Sequence, residues 1–330
     1  WSDNGILKPT PRFQNDVMAA LEAIKQGKGT TTFMAVLKDE LRSKEKVAAG
    51  KTRCIEACDF DYTVAFRMIL GDLFNKIYNS TPVQTGIAVG INPYTDFHSI
   101  YYNSFDNWFA ADYSRYDGSL SEGLMRAGVE VLASCHIDPD LVRQCLEPVV
   151  VSTHVVFDEE WQVVGGMPSG SPCTSVLNSI CNVLVVRTLV ADAGFDQSRV
   201  TCITYGDDMV GSYDGFLDTS EFPKRAREYF GMEMTSADKQ STVLDIPKEE
   251  ATFLKRHFRI FPGTARITGV LDIHSMCQKI QWCTGVENFK QQLESFTLEL
   301  VFHGQYYYDL VRNHTQEVCA RYRVFFPDYV

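Results

Sequence analysis

Ile203-Thr204-Tyr205-Gly206-Asp207-Asp208-Met209-Val210 places two adjacent carboxylates directly after a glycine, between two apolar, β-prone runs, Val200 to Tyr205 and Met209 to Tyr213. The pattern predicts a hairpin whose tight turn presents Asp207 and Asp208 at its tip. Two anions held side by side repel unless a positive charge neutralises them, and a divalent metal is the usual solution. The rest of the chain must then supply the other parts of such a site.

Upstream, Trp108-Phe109-Ala110-Ala111-Asp112-Tyr113-Ser114-Arg115-Tyr116-Asp117-Gly118 reads as an apolar strand that delivers Asp112 at its end. Asp117 follows five residues on, before a helix expected over about 121–135, where the helix dipole also favours an anion. A second hairpin is expected around Asp158-Glu159-Glu160, flanked by Thr153 to Phe157 and Trp161 to Val164. It runs into the flexible loop Gly165-Gly166-Met167-Pro168-Ser169-Gly170-Ser171-Pro172. Pro172 suits the first turn of a helix, with Ser171 as its cap. On that helix Thr174, Asn178 and Asn182 form one polar stripe among apolar residues. Such a stripe is usually a helix–helix seam; the small-residue loop before it also fits a ligand groove.

Helical spacing further predicts helices over 14–26, over Asp61 to Lys76 with Val64, Met68, Ile69 and Leu73 on one face, and over Ser220 to Phe230. Residues 80–107 read as irregular, Met232 to Lys239 as a turn ending in a lysine, and Ala251 to Phe258 as strand with a basic turn. The remainder reads as mostly helical, with Phe289, Leu293, Phe296 and Leu300 on one face, stopped at Gly304.

The chain of 330 residues has a net charge of -11, a mild argument against a nucleic-acid partner. Distribution matters more than the total. Lys38 to Arg53 is net +3, carried by Lys38, Arg42, Lys44, Lys46, Lys51 and Arg53. The stretch is either a solvated strand and turn or a cationic track for nucleotide phosphates. It is not a phosphate loop of the Walker type, because Glu45 stands where the first glycine is needed. Ten cysteines without a framework suggest reduced thiols, and their spacing supplies no four-ligand zinc site. No apolar run approaches a membrane span, and no cleavable signal opens the chain. The start at Trp1-Ser2-Asp3, without a methionine, suggests a piece of a longer protein.

Asp112, Asp207 and Asp208 together suit Mg2+, which prefers oxygen ligands and keeps several waters. Two such ions about 4 Å apart support in-line displacement of pyrophosphate by an attacking hydroxyl. The basic stretch can hold the triphosphate, and Lys239 can protonate the leaving pyrophosphate. Asp117, Ser169, Thr174 and Asn178 offer groups able to recognise a ribose 2′-hydroxyl and so select NTP over dNTP.

The ordered set Asp112-x4-Asp117, Ser169-Gly170-x3-Thr174-x3-Asn178, Tyr205-Gly206-Asp207-Asp208, Lys239 and Phe253-Leu254-Lys255-Arg256 resembles polymerase motifs A to E. Lys38-Asp39-Glu40-Leu41-Arg42 with Gly50-Lys51-Thr52-Arg53 looks like motif F. From about residue 35 onward the chain resembles the RNA-dependent RNA polymerases of positive-strand RNA viruses in the picornavirus-like group. That resemblance implies an α+β right-hand fold with fingers, palm and thumb, an antiparallel palm sheet backed by helices, and an N-terminal fingers portion that is missing. It divides the chain into partial fingers (1–69), palm (70–150), a fingers hairpin (151–167), palm again (168–258) and thumb (259–330). It implies metal ligation by Asp112 and Asp207, assisted by Asp208 and the Tyr113 carbonyl, with Mg2+ (or Mn2+) as two ions. Lys38, Arg42, Lys46 and Arg53 would line the NTP channel, and Phe253, Leu254, Lys255 and Arg256 would grip the primer. The family further implies RNA template and primer, NTPs, a small protein primer (VPg), other viral replication proteins and replication on membranes in the host cytoplasm.

Two neighbouring chemistries compete. A reverse transcriptase shares the paired aspartates but usually sets a bulky aromatic where the 2′-hydroxyl would go. A two-metal nuclease would not need the ribose-reading set. A non-catalytic RNA-binding scaffold has no use for clustered acids that repel RNA.

Overall fold

The computed structural model describes residues 2–3, 6–40, 42–237, 243–261, 263–280, 282–326 and 328–329. Two short strands, β1 (Ser2–Asp3) and β2 (Ile6–Leu7), pair with each other ahead of α1 (Pro11–Lys25). Thr10 caps α1 by accepting the Phe13 N–H, and Pro11 fills the first turn, where its missing N–H costs nothing. Next come β3 (Thr32–Leu37), the short α2 (Lys44–Ala48) and β4 (Cys54–Cys58). Three helices follow: α3 (Phe60–Tyr78), α4 (Pro82–Thr85) and α5 (Asp96–Asn103). The strand β5 (Asn107–Ser114) leads through α6 (Tyr116–Ser119) to α7 (Glu122–Ser134) and α8 (Pro139–Val150). A hairpin of β6 (Val151–Val156) and β7 (Glu159–Val164) precedes the long α9 (Thr174–Asp192). Then come β8 (Val200–Tyr205), β9 (Asp208–Tyr213), α10 (Phe222–Phe230), β10 (Glu233–Ser236) and β11 (Asp245–Ile246). The last part is β12 (Thr252–Phe253), β13 (Arg256–Ile260), β14 (Ile267–Leu271), α11 (Ile273–Ile280), α12 (Val286–Leu300) and α13 (Gln305–Tyr322).

Three main sheets organise these elements. An antiparallel sheet runs β10-β5-β9-β8, with β11 also on β5. Helix α9 lies on β8 and against α7, and their apolar faces fill the largest core with Met125, Leu132, Leu177, Val185 and Phe109. A second sheet, β4-β3-β6-β7, is antiparallel except for the parallel pair β3–β6. The third, β12-β13-β14, packs Phe253 and Phe258 onto Phe97 and Trp108. Helices α11, α12 and α13 enclose a separate small core around Met276, Leu293, Leu300 and Tyr308. The mixed helix-and-sheet class is the expected one.

Several expectations need correction. Helix α3 buries Tyr62, Ala65, Phe66, Leu70 and Phe74, while Met68 of the expected face is 56% exposed. The helix carries two apolar stripes, and the aromatic one, with more area to bury, turns inward. Residues 232–239, expected as a turn, contain β10, whose four residues are too few for their alternation to stand out. Residues 80–107 hold two helices, and α8 and β14 were not anticipated. Helix α9 begins at Thr174 with Cys173 as its cap residue, two positions later than expected from Pro172; Ser171 instead accepts the Cys173 N–H. The boundary expected between residues 69 and 70 falls inside α3, and that between 258 and 259 falls inside β13. Finally, α9 is long and apolar enough, by length and composition, to cross a membrane. Its apolarity has a local cause, since most of it is buried against β8 and α7.

Candidate active site

The acidic hairpin forms as its sequence requires. Tyr205 pairs with Asp208, which leaves Gly206 and Asp207 as the two-residue turn. Gly206 has φ 64°, and a positive φ at the first central position is where a tight hairpin turn takes glycine. Asp207 therefore stands on the tip, and Asp208 opens β9. The β5–β9 ladder pairs Ala111 with Met209, so the next position sets Asp112 beside Asp208. Strand β5 continues two residues past Asp112, which accepts the Tyr113 N–H at 3.0 Å.

These carboxylates feel one another. Burial raises the Asp208 carboxyl to about 6, and Asp207 and Asp112 push in the same direction; the Leu254 N–H, donating at 2.7 Å, opposes them. Reduced solvation in the groove also raises Asp207, with Asp117 and Asp112 adding to it. Among the described residues, however, no three acidic, His or Cys side chains are drawn close enough to form a ready metal cage. The expected convergence is therefore one of neighbours, each held by a backbone N–H, rather than a closed set of ligands. Hard oxygen donors nevertheless fit Mg2+, which needs only one or two protein carboxylates beside water and phosphate.

Helix α9 holds this tip in place. Asn182 donates to the carbonyls of Gly206 (3.0 Å) and Asp207 (3.2 Å) and accepts the Tyr113 hydroxyl at 2.9 Å. Ser179 accepts the Gly206 N–H at 2.8 Å, and Thr204 donates to the Ser179 carbonyl. Of the polar stripe, Asn182 thus forms a seam between helix and hairpin. Ser179 and the Tyr113 phenol were missed as site residues, and only the four-residue recurrence of Asn182 hinted at the seam. Tyr113, expected to lend its carbonyl, sits opposite Met234 in the β5–β10 ladder.

Asp117, Ser169 and Asn178 are brought together. The Ser169 hydroxyl and the Asn178 amide both donate to the Asp117 carboxylate at 2.7 Å. Asn178 Oδ1 is buried without a partner, an acceptor still to be satisfied. Thr174 is not part of this set, because its hydroxyl donates to the Pro168 and Ser171 carbonyls and fastens the helix start. Gly170 makes the loop's close approach to β4: a Cβ there would lie 2.2 Å from the Glu56 carbonyl oxygen.

The basic stretch is partly self-neutralised. Glu40 takes a bidentate pair from Arg53, with Arg42 at 3.1 Å and Lys38 at 3.8 Å. The Arg53 hydrogen bonds, with the charges of Arg53, Arg42 and Lys38, hold the Glu40 carboxyl down to about 2. Arg53 also feels Asp207, which sets the end of this stretch against the acidic tip. Lys46 is exposed on α2.

The four residues expected to grip a primer have separate environments. Phe253 is fully buried, and Arg256 is tied bidentately to Glu299 of α12, so neither is free for a strand of RNA. Leu254 and Lys255 form the turn between them with φ 55° and 59°. Left-handed conformations at two non-glycine residues cost about 1–3 kcal/mol each, and here they aim the Leu254 N–H at Asp208 and leave Lys255 exposed. Lys239 lies outside the described residues.

A family model described as viral RNA-dependent RNA polymerase matches residues 12–319. The chain is 46% identical over 320 residues to a genome polyprotein of Ljunganvirus 1, covering 97% of this chain and 14% of the polyprotein. A genome polyprotein of Human parechovirus 5 (strain CT86-6760) is 45% identical over 284 residues, covering 86% of this chain and 13% of its own length. Among solved structures, the Sicinivirus 3Dpol RNA dependent RNA polymerase superimposes with a TM-score of 0.86 at 28% identity, over 100% of this chain and 70% of that one. The chain thus spans about a seventh of the polyproteins it matches.

Proposed function

The chain belongs to the viral RNA-dependent RNA polymerases, and from that membership we propose that it extends RNA on an RNA template at the tip of the β8–β9 hairpin. The observation that carries the proposal is the register that sets Asp112 of β5 beside Asp208, with Asp207 on the adjoining turn, where the charges of Asp112 and Arg53 reach it. Acids at the meeting of two strands, faced by a cation, suit nucleotidyl transfer, which needs positioning and charge neutralisation more than covalent help.

In this reading the five-stranded sheet with α7 and α9 is the palm, the β4-β3-β6-β7 sheet belongs to the fingers, and α11 to α13 form the thumb. Asp112, Asp207 and Asp208 would hold two Mg2+ (or Mn2+) ions, which when bound supply charge neutralisation for the attacking and leaving oxygens. Arg53, with Lys38, Arg42 and Lys46 along the approach, meets the triphosphate. Asp117, held by Ser169 and Asn178, reads the ribose 2′-hydroxyl, and the buried Asn178 Oδ1 leaves one acceptor for this purpose. Lys255, at the turn whose Leu254 N–H fixes Asp208, meets the primer backbone. Lys239 serves as the acid for pyrophosphate.

This reading carries with it RNA template and primer, NTPs, a small protein primer, other viral replication proteins and a site on membranes of the host cytoplasm, and the likeness to the Ljunganvirus and parechovirus genome polyproteins supports it. The test is primer extension on an RNA template. Asp207→Asn is expected to abolish incorporation while circular dichroism and Tm stay as in the parent. Full incorporation by that variant would remove the hairpin from the chemistry.

A further inference from the structure

The loop that carries Ser169 to Asp117 is anchored on either side by the buried Met167 and Ser171, and the Met167 N–H donates to the Asp117 carbonyl at 2.9 Å, but Ser169 itself is exposed. A cavity of about 510 Å3, lined by Glu56, Asp117, His154, Trp161, Val163 and Ser169, lies against it. With open space on that side, the orientation of Ser169 itself depends on polar links. The Ser169 N–H donates to Glu56 Oε2 at 3.1 Å, and Gly170 makes a single parallel bridge with Ala57 of the same strand. Glu56 is itself aimed. Its Oε1 lies 3.2 Å from Nδ1 of His154, a ring only 5% exposed, and Nε2 of that ring lies 2.8 Å from the Ser152 hydroxyl. The ring is fixed between Phe33 at 5.7 Å and Trp161, which stacks on it at 6.2 Å and 15°. Nδ1 thus faces the Glu56 carboxylate within ion-pair distance, and Nε2 shares a hydrogen bond with the Ser152 hydroxyl.

We propose that Ser152, His154 and Glu56 form a positioning relay that fixes the Ser169 peptide, and through it the Asp117 carboxylate, so that discrimination between ribo- and deoxyribonucleotides is set from outside the sugar site. The proposal rests on the reading of Asp117, Ser169 and Asn178 as the sugar-recognising set. Glu56 touches no substrate. It acts by keeping the Ser169 N–H engaged, so that the Ser169 hydroxyl stays turned toward Asp117 and the carboxylate stays oriented for the 2′-hydroxyl. Glu56 lies on β4, three residues after Arg53, while Ser152 and His154 lie on β6, so the relay joins two strands of one sheet to the loop beside Asp117.

Single-nucleotide incorporation, with matched NTP and dNTP, tests this in the polymerase carrying the sequence. Glu56→Ala is expected to lower the NTP-over-dNTP preference about tenfold, the scale of one hydrogen bond. The loss should appear as a higher KM for NTP, with the dNTP reaction unchanged. Glu56→Gln, which keeps an acceptor for the Ser169 N–H, should retain most of the preference. His154→Phe, which keeps the stack and drops the polar contact with Glu56, should lose it, and carries the test should the alanine variant not fold. An unchanged preference in Glu56→Ala and His154→Phe, or an equal fall for both nucleotides, overturns the relay. Failure of the underlying reading looks different: the parent would incorporate neither nucleotide, or Asn178→Ala would keep the full preference.

Discussion

Asp208 is pulled two ways: burial and the charges of Asp207 and Asp112 favour its protonated form, and the Leu254 N–H favours the carboxylate. Its carboxyl, raised to about 6 from 3.8, binds a proton more tightly folded than unfolded. Without metal, its contribution to stability is therefore complete below the unfolded value and is lost as the pH rises through about 6. Asp208→Asn removes the charge and keeps an acceptor for Leu254. In chelator, it is expected to stabilise the chain at neutral pH by roughly 1–3 kcal/mol, with no gain below about pH 4. Thermal melts at the two pH values check this, and an equal shift at both would show that charge burial is not the cause. Asn182 poses the opposite case. Asn182→Ala strands the Tyr113 hydroxyl and leaves the Gly206 and Asp207 carbonyls without their donor, a cost of about 1–3 kcal/mol, and should also slow incorporation because the turn is no longer held. Leu189→Ala, a cavity in the same helix away from the turn, is expected to cost about 2–5 kcal/mol without changing the rate of the folded fraction. Paired melts and single-turnover rates separate the two.

Among the elements, β13 and α12 are joined by a buried ion pair that primer-gripping residues were not expected to form. Arg256 donates to Glu299 and to the Gly269 carbonyl, the Tyr94 hydroxyl donates to Glu299, and the guanidinium lies 5.3 Å over the Tyr94 ring. The side chains are only 14% and 9% exposed. Breaking such a pair from one side costs about 3–5 kcal/mol, because a buried charge is left alone, whereas replacing both partners by apolar residues is often neutral. Glu299→Ala should therefore lower stability far more than the double variant Arg256→Met with Glu299→Leu, measured by denaturant unfolding. A single variant as mild as the double one would mean that water reaches the pair. The same elements show what local sequence can convey. The β8–β9 hairpin was legible because Gly206 and two flanking β-prone runs carry their own turn chemistry. The roles of Lys255 and Arg256 were not, since the partner of Arg256 is 43 residues away on another element.

At the scale of the molecule, the proposed RNA substrate would meet a chain of net charge -11 and be drawn to it only through local positive charge. Composition alone could not rank the cations, because which charges are already neutralised is decided by the fold. Lys38, Arg42 and Arg53 share Glu40, and Arg256 is bound to Glu299, whereas Lys46 and Lys255 are exposed. The order of motifs was legible along the chain for the converse reason: Asp112, Asp117 and Asp207 sit at or near strand and helix ends, and Ser169 and Asn178 in a small-residue loop and the helix after it, where local patterns are strong. Counterion release then distinguishes the cations. The affinity of the polymerase for a primed RNA should fall with salt. Lys255→Ala should flatten the dependence of log Kd on log salt by about 0.7–0.9, the worth of one phosphate contact. The paired Arg256→Met and Glu299→Leu change, which removes one charge of each sign from a buried site, should leave the slope as it was. Fluorescence anisotropy over a salt series measures both. A slope unchanged by Lys255→Ala would take the Leu254–Lys255 turn off the path of the RNA, and a slope flattened by the paired change would mean that Arg256 leaves Glu299 to reach a phosphate.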